Sequence, residues 1–212
     1  MASYSNTANQ NMLQGYGTGS QNVYFMLGPN DASPKATTVS EAQSWGATQG
    51  RLALANWQSF YLSYDHPGFP IIYQDISESG YGWTSNKTLN RAEFNGFWNE
   101  VTGAQIALSP NQAYTIFSGV FAGATFWLDY MAGSLSGTFE WTDQYSIHDS
   151  SLSSSVCPSA WSEPYGTANF FAGYSQSNPC SVAWQWAQGT ADYDQVFATR
   201  LEDGMSASGA CN

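Results

Sequence analysis

Two short apolar runs, far apart in the chain, restrict the fold more than any other feature. Asn22-Val-Tyr-Phe-Met-Leu27 stops at Gly28-Pro29, and Pro70-Ile-Ile-Tyr-Gln-Asp-Ile76 follows the break at Pro67–Pro70. Each has the length of a buried strand. Between them Ser40, with Gln43 three residues on, forms a capping-box signature. It predicts a helix through about Phe60, with Ala42, Trp45, Leu52 and Phe60 as inward positions. A strand, a helix and a second strand in this order form a βα unit on a mostly parallel sheet.

The pattern continues. Asn90 with Glu93 predicts a second helix start, followed by the stripe Phe94, Phe97, Trp98 and Val101. Ala104–Leu108 reads as a strand, and Ser109-Pro110 as the opening of a short helix to Phe117. Thr125–Tyr130, Thr138–Trp141 and Ser181–Trp186 read as further strands, with a long loop from Asp143 to about Pro179. About six strands fall short of a full eight-unit barrel, which takes ~250 residues. The expected fold is α/β: a shortened or incomplete TIM-type (β/α) barrel with mostly parallel strands. Residues 1–21, polar and rich in Gly, Asn and Ser, are expected to form a flexible lead-in to one domain over 22–212.

Charge narrows the partners. The chain carries a formal net charge of -11 and only five cations, Lys35, Lys87, Arg51, Arg91 and Arg200. Phosphate recognition needs clustered cations, so nucleic acids and anionic membranes are excluded as partners. No apolar run reaches the ~18 residues of a membrane span. No signal peptide opens the chain, yet a polar surface built from uncharged groups fits an extracellular setting, so secretion is expected. Three cysteines are too few for a disulfide scaffold. Cys157 and Cys180 flank a Ser-, Pro- and Gly-rich stretch, and a disulfide between them would stabilise by ~3 kcal/mol. Cys211 is the odd one out. His66 and His148 stand alone, so no metal and no cofactor are expected.

In parallel α/β folds, reactive groups collect just beyond the carboxyl ends of the strands. Asp75, Asp129 and Asp192 take such positions, with Glu78 in the loop after Asp75. Two carboxyl groups across a glycosidic bond are the usual equipment for sugar hydrolysis. Tyr73, Tyr81, Trp83, Trp127, Tyr130, Trp184, Trp186 and Tyr193 lie beside these acids and offer faces on which sugar rings stack. Nucleophilic triads lack support, because no Gly-x-Ser-x-Gly occurs. Gly15-Tyr-Gly-Thr-Gly19 lacks the strand and the Lys-Ser/Thr ending of a phosphate loop. Asn86-Lys-Thr88 fits the N-glycosylation pattern.

The order of short motifs adds a resemblance. Tyr-Phe-x-Leu-Gly-Pro (24–29), Ser-Glu-Ala-Gln-x-Trp-Gly (40–46), Ile-Ile-Tyr-x-Asp-Ile (71–76), Gly-Trp-x-x-Asn (82–86) and Asn-Arg-x-x-Phe-Asn-Gly-Phe (90–97) together resemble the bacterial glycoside-hydrolase-like barrel domain. The closing Ala-Trp-Gln-Trp-x-x-Gly-x-x-Asp-Tyr-Asp-Gln (183–195) is similar to the end of family-25-type muramidases. The resemblance spans roughly 22–198. It implies a secreted (β/α) barrel with an active-site Asp-x-Glu after the central strand. Asp75 matches the first acid, Ser77 stands where the Glu belongs, and Asp192 matches the closing acid. Glu78 is one residue off and would face the other way on a strand unless a bulge re-aims it. The family's opening strands have no counterpart before Asn22.

The expected activity is hydrolysis of an extracellular or cell-wall glycan by Asp75 with Glu78 or Asp192. The expected binding residues are Tyr73, Tyr81, Trp83, Trp127, Asp129, Trp184 and Trp186. The alternatives are a carbohydrate-binding pseudo-enzyme and a self-assembling surface or filament protein. The expected partner is a glycan or polysaccharide, with association between copies of the chain if missing strands leave sheet edges open.

Overall fold

The computed structural model describes residues 23–26, 36–64, 70–76, 82–122, 124–133, 139–148, 181–188 and 192–196. Its elements are β1 (Val23–Met26), α1 (Val39–Tyr64), β2 (Ile71–Asp75), α2 (Lys87–Val101), β3 (Gln105–Ser109), β4 (Gln112–Thr115), β5 (Phe117–Ala122), α3 (Ala124–Tyr130), β6 (Phe139–His148), β7 (Ser181–Gln188) and β8 (Asp192–Val196). Among the described residues, six strands form one sheet in the order β1-β2-β5-β6-β7-β8, and β3 and β4 form a separate antiparallel hairpin. The pairs β1–β2, β2–β5, β5–β6 and β6–β7 are parallel; β8 runs antiparallel to β7.

Both long helices start on side-chain caps. The Thr38 hydroxyl accepts the Glu41 N–H at 3.2 Å. The Glu41 carboxylate accepts the N–H groups of Thr37 and Thr38 at 2.9 and 3.0 Å, and the Thr37 hydroxyl at 3.0 Å. This is a capping box two residues before the expected Ser40–Gln43. The same bonds, led by the Thr37 N–H, hold the Glu41 carboxyl below its ordinary value. Asn86 caps α2 by accepting the Leu89 N–H at 3.3 Å. The expected start at Asn90 and Glu93 is therefore one turn late, and both residues are buried inside the helix. Gly103, with φ +78, lets the chain leave α2 in the left-handed region. Its N–H donates to Ile116 O at 2.8 Å and ties the hairpin's two ends together.

The two long helices cross at glycine contacts. A Cβ on Gly46 would lie 1.9 Å from the Glu93 carbonyl oxygen, and one on Gly96 would lie 2.1 Å from that of Gln43. Ala42, Gly46, Gly50 and Ala53 form a buried line of small residues on α1 facing α2. Close backbone approach brings Trp57, Phe94, Phe97 and Val101 into one core with Trp127 of α3 and with Ile72, Ile76, Val120 and Ala122 of the sheet region. Residues of all three described helices thus share a core with one face of the sheet. The remaining positions of β2, Ile71, Tyr73 and Asp75, are also buried, but Ile71 and Tyr73 lie outside that core. By strand alternation they belong to the opposite face.

Three expected elements differ. The strand over 104–108 exists as β3, but it pairs only with β4 and not with the parallel sheet. The expected helix from Pro110 to Phe117 is the strand β4 and the start of β5. The expected strand over 125–130 is the helix α3. Its aromatic and β-branched composition suggested a strand, but tertiary packing overrides that preference. Phe94 meets Trp127 edge to face at 5.2 Å, and the Trp127 indole N–H donates to Gly133 O at 3.2 Å. Among the described residues no helix is long and apolar enough to cross a membrane.

Candidate active site at the carboxyl edge of the sheet

β2 lies between two parallel neighbours, so its hydrogen bonds are satisfied on both sides. That arrangement suits a strand buried on both faces, and every residue from Ile71 to Ile76 is buried. Asp75 is the last residue of β2 and is 6% exposed. The chain continues through Ile76, whose N–H donates to Phe121 O at 3.1 Å. Asp75 and Tyr73 share the sheet face away from the helix-side core. Tyr73 aligns with Gly119 and Asp75 with Phe121. Burial pushes the Tyr73 phenol far above its ordinary range, so it stays neutral. Glu78 and Tyr81, expected beside Asp75, lie outside the described residues, as do Cys157 and Cys180.

Trp83 follows in the segment between β2 and α2. It is 8% exposed and belongs to the helix-side core, and its indole nitrogen finds no hydrogen-bond partner among the described residues. Asn90 anchors this segment. Its amide donates to the carbonyls of Thr84 and Tyr130, both at 2.8 Å. Its side-chain oxygen accepts the Thr84 N–H at 3.3 Å and hydroxyl at 3.2 Å. One buried amide thus ties the segment after β2 to the end of α3, and all its capacity is used.

Arg91 has a related role. Its Nε donates to the Asn95 side chain at 2.9 Å, and its guanidinium lies 5.0 Å from the Trp127 ring centroid and 5.4 Å from that of Phe94. Of the motif residues, Asn86 caps α2, and Asn90, Arg91, Phe94, Gly96 and Phe97 are occupied in holding helices together. Trp127 is fully buried among them. Asp129 sits exposed on α3 and not at the end of a strand.

The register extends the edge across the sheet. Asp75 aligns with Phe121, Phe121 with Trp141, and Trp141 with Ala183. Asp143 stands two positions beyond Trp141 and aligns with Gln185, which aligns with Asp194. His148 aligns with Gln188, which aligns with Asp192. Asp192 thus opens β8 at the carboxyl edge of β7. Trp184 and Trp186 lie within β7, and Tyr193 within β8. Sequence reading missed Asp143, placed at the head of a loop, and His148, taken as isolated. The ten-residue span of β6 carries both beyond the level of Asp75, Asp143 by two positions and His148 by seven.

Strand spacing sets a geometric condition. Four strand intervals separate β2 from β8, which is about 19 Å across a flat sheet. A carboxyl pair for glycoside hydrolysis must be within ~5–9.5 Å. Asp192 is level with Gln188, five positions past Ala183, which is level with Asp75. About 17 Å along the strand direction therefore adds to the separation across the sheet, and curling of the sheet alone does not bring the two acids together. Asp143 is two intervals from β2, about 10 Å across the sheet. Among the described residues no group of three or more His, Cys, Asp and Glu side chains could hold a metal ion. Compared with known proteins, the chain matches no family model, no curated protein and no solved structure.

Proposed function

We propose that this chain is a secreted protein with a shortened (β/α) barrel that acts on extracellular or cell-wall glycan by carboxylate acid–base hydrolysis. The observation that carries the reading is Asp75: a nearly buried carboxyl at the carboxyl end of an interior parallel strand, where such folds collect reactive groups. Two further features support it. The described helices share a core with one sheet face, while the residues of the opposite face of β2 are buried too; a sheet curled around that face accounts for both. Asp143 supports the reading as well, since its register lies two positions beyond the level of Asp75 on a parallel strand.

In this reading Asp75 and a second carboxyl group flank the scissile bond. One protonates the leaving oxygen; the other activates water or attacks the sugar. Asp192 is the partner by motif and Asp143 the partner by strand order, with Glu78 the partner by sequence nearness. Ser77, where the resemblance calls for Glu, favours a second reading in which the protein binds glycan without cleaving it. A serine hydroxyl cannot deliver the proton at useful pH.

The test is release of reducing sugar from peptidoglycan and neutral polysaccharides across pH. Under the hydrolytic reading, Asp75→Asn lowers turnover about 100-fold or more with little change in melting temperature. Asp143→Asn, Asp192→Asn and Glu78→Gln then identify the partner, since only the true one gives a comparable loss. No turnover by wild type, with saturable glycan binding weakened by Asp75→Asn, would establish the binding reading. Neither turnover nor binding would overturn both.

A further inference from the structure

The helix pair contains a carboxyl group that the glycan reading does not use. Glu93 is 2% exposed, and its Oε1 finds no hydrogen-bond partner among the described residues. It sits where α1 and α2 approach most closely, one turn before Gly96 and with its own carbonyl against Gly46. An ionised carboxylate in such a place loses hydration that only a buried cation or hydrogen-bond donors could replace.

Among the described residues the charged groups of the packed elements are engaged elsewhere or exposed. On α1, Glu41 is held by Thr37 and Thr38, and Arg51 pairs with Glu100 at 2.8 Å; Tyr61 bonds the Tyr114 hydroxyl. On α2 itself, Lys87 is exposed in the first turn, and Arg91 is turned toward Asn95, Ala132 and Trp127. On α3, Asp129 is exposed and Tyr130 stacks on Phe126. β5 carries no titratable side chain.

We propose that Glu93 is a protonation-controlled latch on the α1–α2 pair: protonated, it lets the helices close at glycine distance, and ionised, it drives them apart. Burial pushes its carboxyl up from an ordinary 4.5 to about 8. The folded chain therefore keeps a proton that the unfolded or opened chain releases. Stability from this group is full below about 4.5, falls as pH rises toward about 8, and levels off above. Within that window the equilibrium constant for opening rises about tenfold per pH unit. The inference is independent of the glycan reading.

The experiment measures thermal melting and amide hydrogen exchange from about pH 5 to about pH 9 on the whole chain, wild type and Glu93→Gln. Wild type is expected to lose melting temperature across the window, with exchange accelerating in α1 and α2 more than in the β3–β4 hairpin. Glu93→Gln is expected to remove that loss. Identical pH dependence in both proteins would overturn the proposal. If the glutamine variant does not fold, the carboxyl carbon of Glu93 is titrated by NMR in wild type. A midpoint near 8 supports the latch; one near 4.5 overturns it.

Discussion

β2 and β3 are five-residue strands with nearly the same apolar content, yet the fold treats them oppositely. β2, Ile-Ile-Tyr-Gln-Asp, is buried at every position and lies inside a parallel sheet. β3, Gln-Ile-Ala-Leu-Ser, buries only Ile106 fully and belongs to a two-stranded hairpin beside α1. The difference lies in what covers each strand. β2 has helices over one face and a buried opposite face, so even its Gln74 is enclosed and donates to the Ser118 hydroxyl at 3.2 Å. β3 meets α1 by one side, through a Gln58 amide that donates to Ala107 O at 2.8 Å. Apolar content alone therefore does not decide a strand's place; what covers its two faces does.

Mutations can break or sharpen this contrast. Ile72→Ala, in the centre of β2, should cost about 2–5 kcal/mol, because a fully buried side chain leaves a cavity that rigid neighbours cannot fill. Denaturant unfolding with an unchanged slope measures it, and a loss below about 1 kcal/mol would deny β2 its central place. Gly96→Ala should cost about 1–3 kcal/mol by forcing the helices over β2 apart, since the new Cβ would meet the Gln43 and Ala47 backbones at 2.1 and 2.9 Å. An exposed glycine-to-alanine change in a helix would stabilise instead, so the sign alone reports the close crossing. Ala113→Thr, exposed on β4 opposite Ala107, should change stability by no more than about 0.5 kcal/mol in either direction. A large loss there would show that the hairpin is covered by something beyond α1.

The same contrast explains what could be read in advance. The strands β1, β2 and β7 and the stripe on α2 were visible because hydrophobic periodicity reports burial directly. The segment 125–130 was not, because Phe126, Trp127 and Tyr130 suit a strand as well as a helix. What makes it a helix is contact with Phe94 and Arg91, more than thirty residues away. The Thr38–Glu41 cap was available as Thr-x-x-Glu and was passed over for Ser40–Gln43, two overlapping signals that only hydrogen-bond geometry separates.

Legibility of the candidate site follows the same line. Asp75 could be named because it ends an unambiguous strand. The strand positions of Asp143 and His148 could not be named, since they rest on how far β6 extends and what it pairs with. Glu93 was visible only as a capping residue. Its burial arises from glycines 46 and 96, on separate helices, that allow two backbones to touch.

Local patterns thus settle which stretches seek the interior and which charges the surface lacks, because those properties depend on near neighbours and on contact with water. They leave open which strands share a sheet, which acids share an edge and which carboxyl group loses its water. Those depend on residues far apart in the chain being brought within one strand spacing or one helix diameter, and folding alone sets such distances.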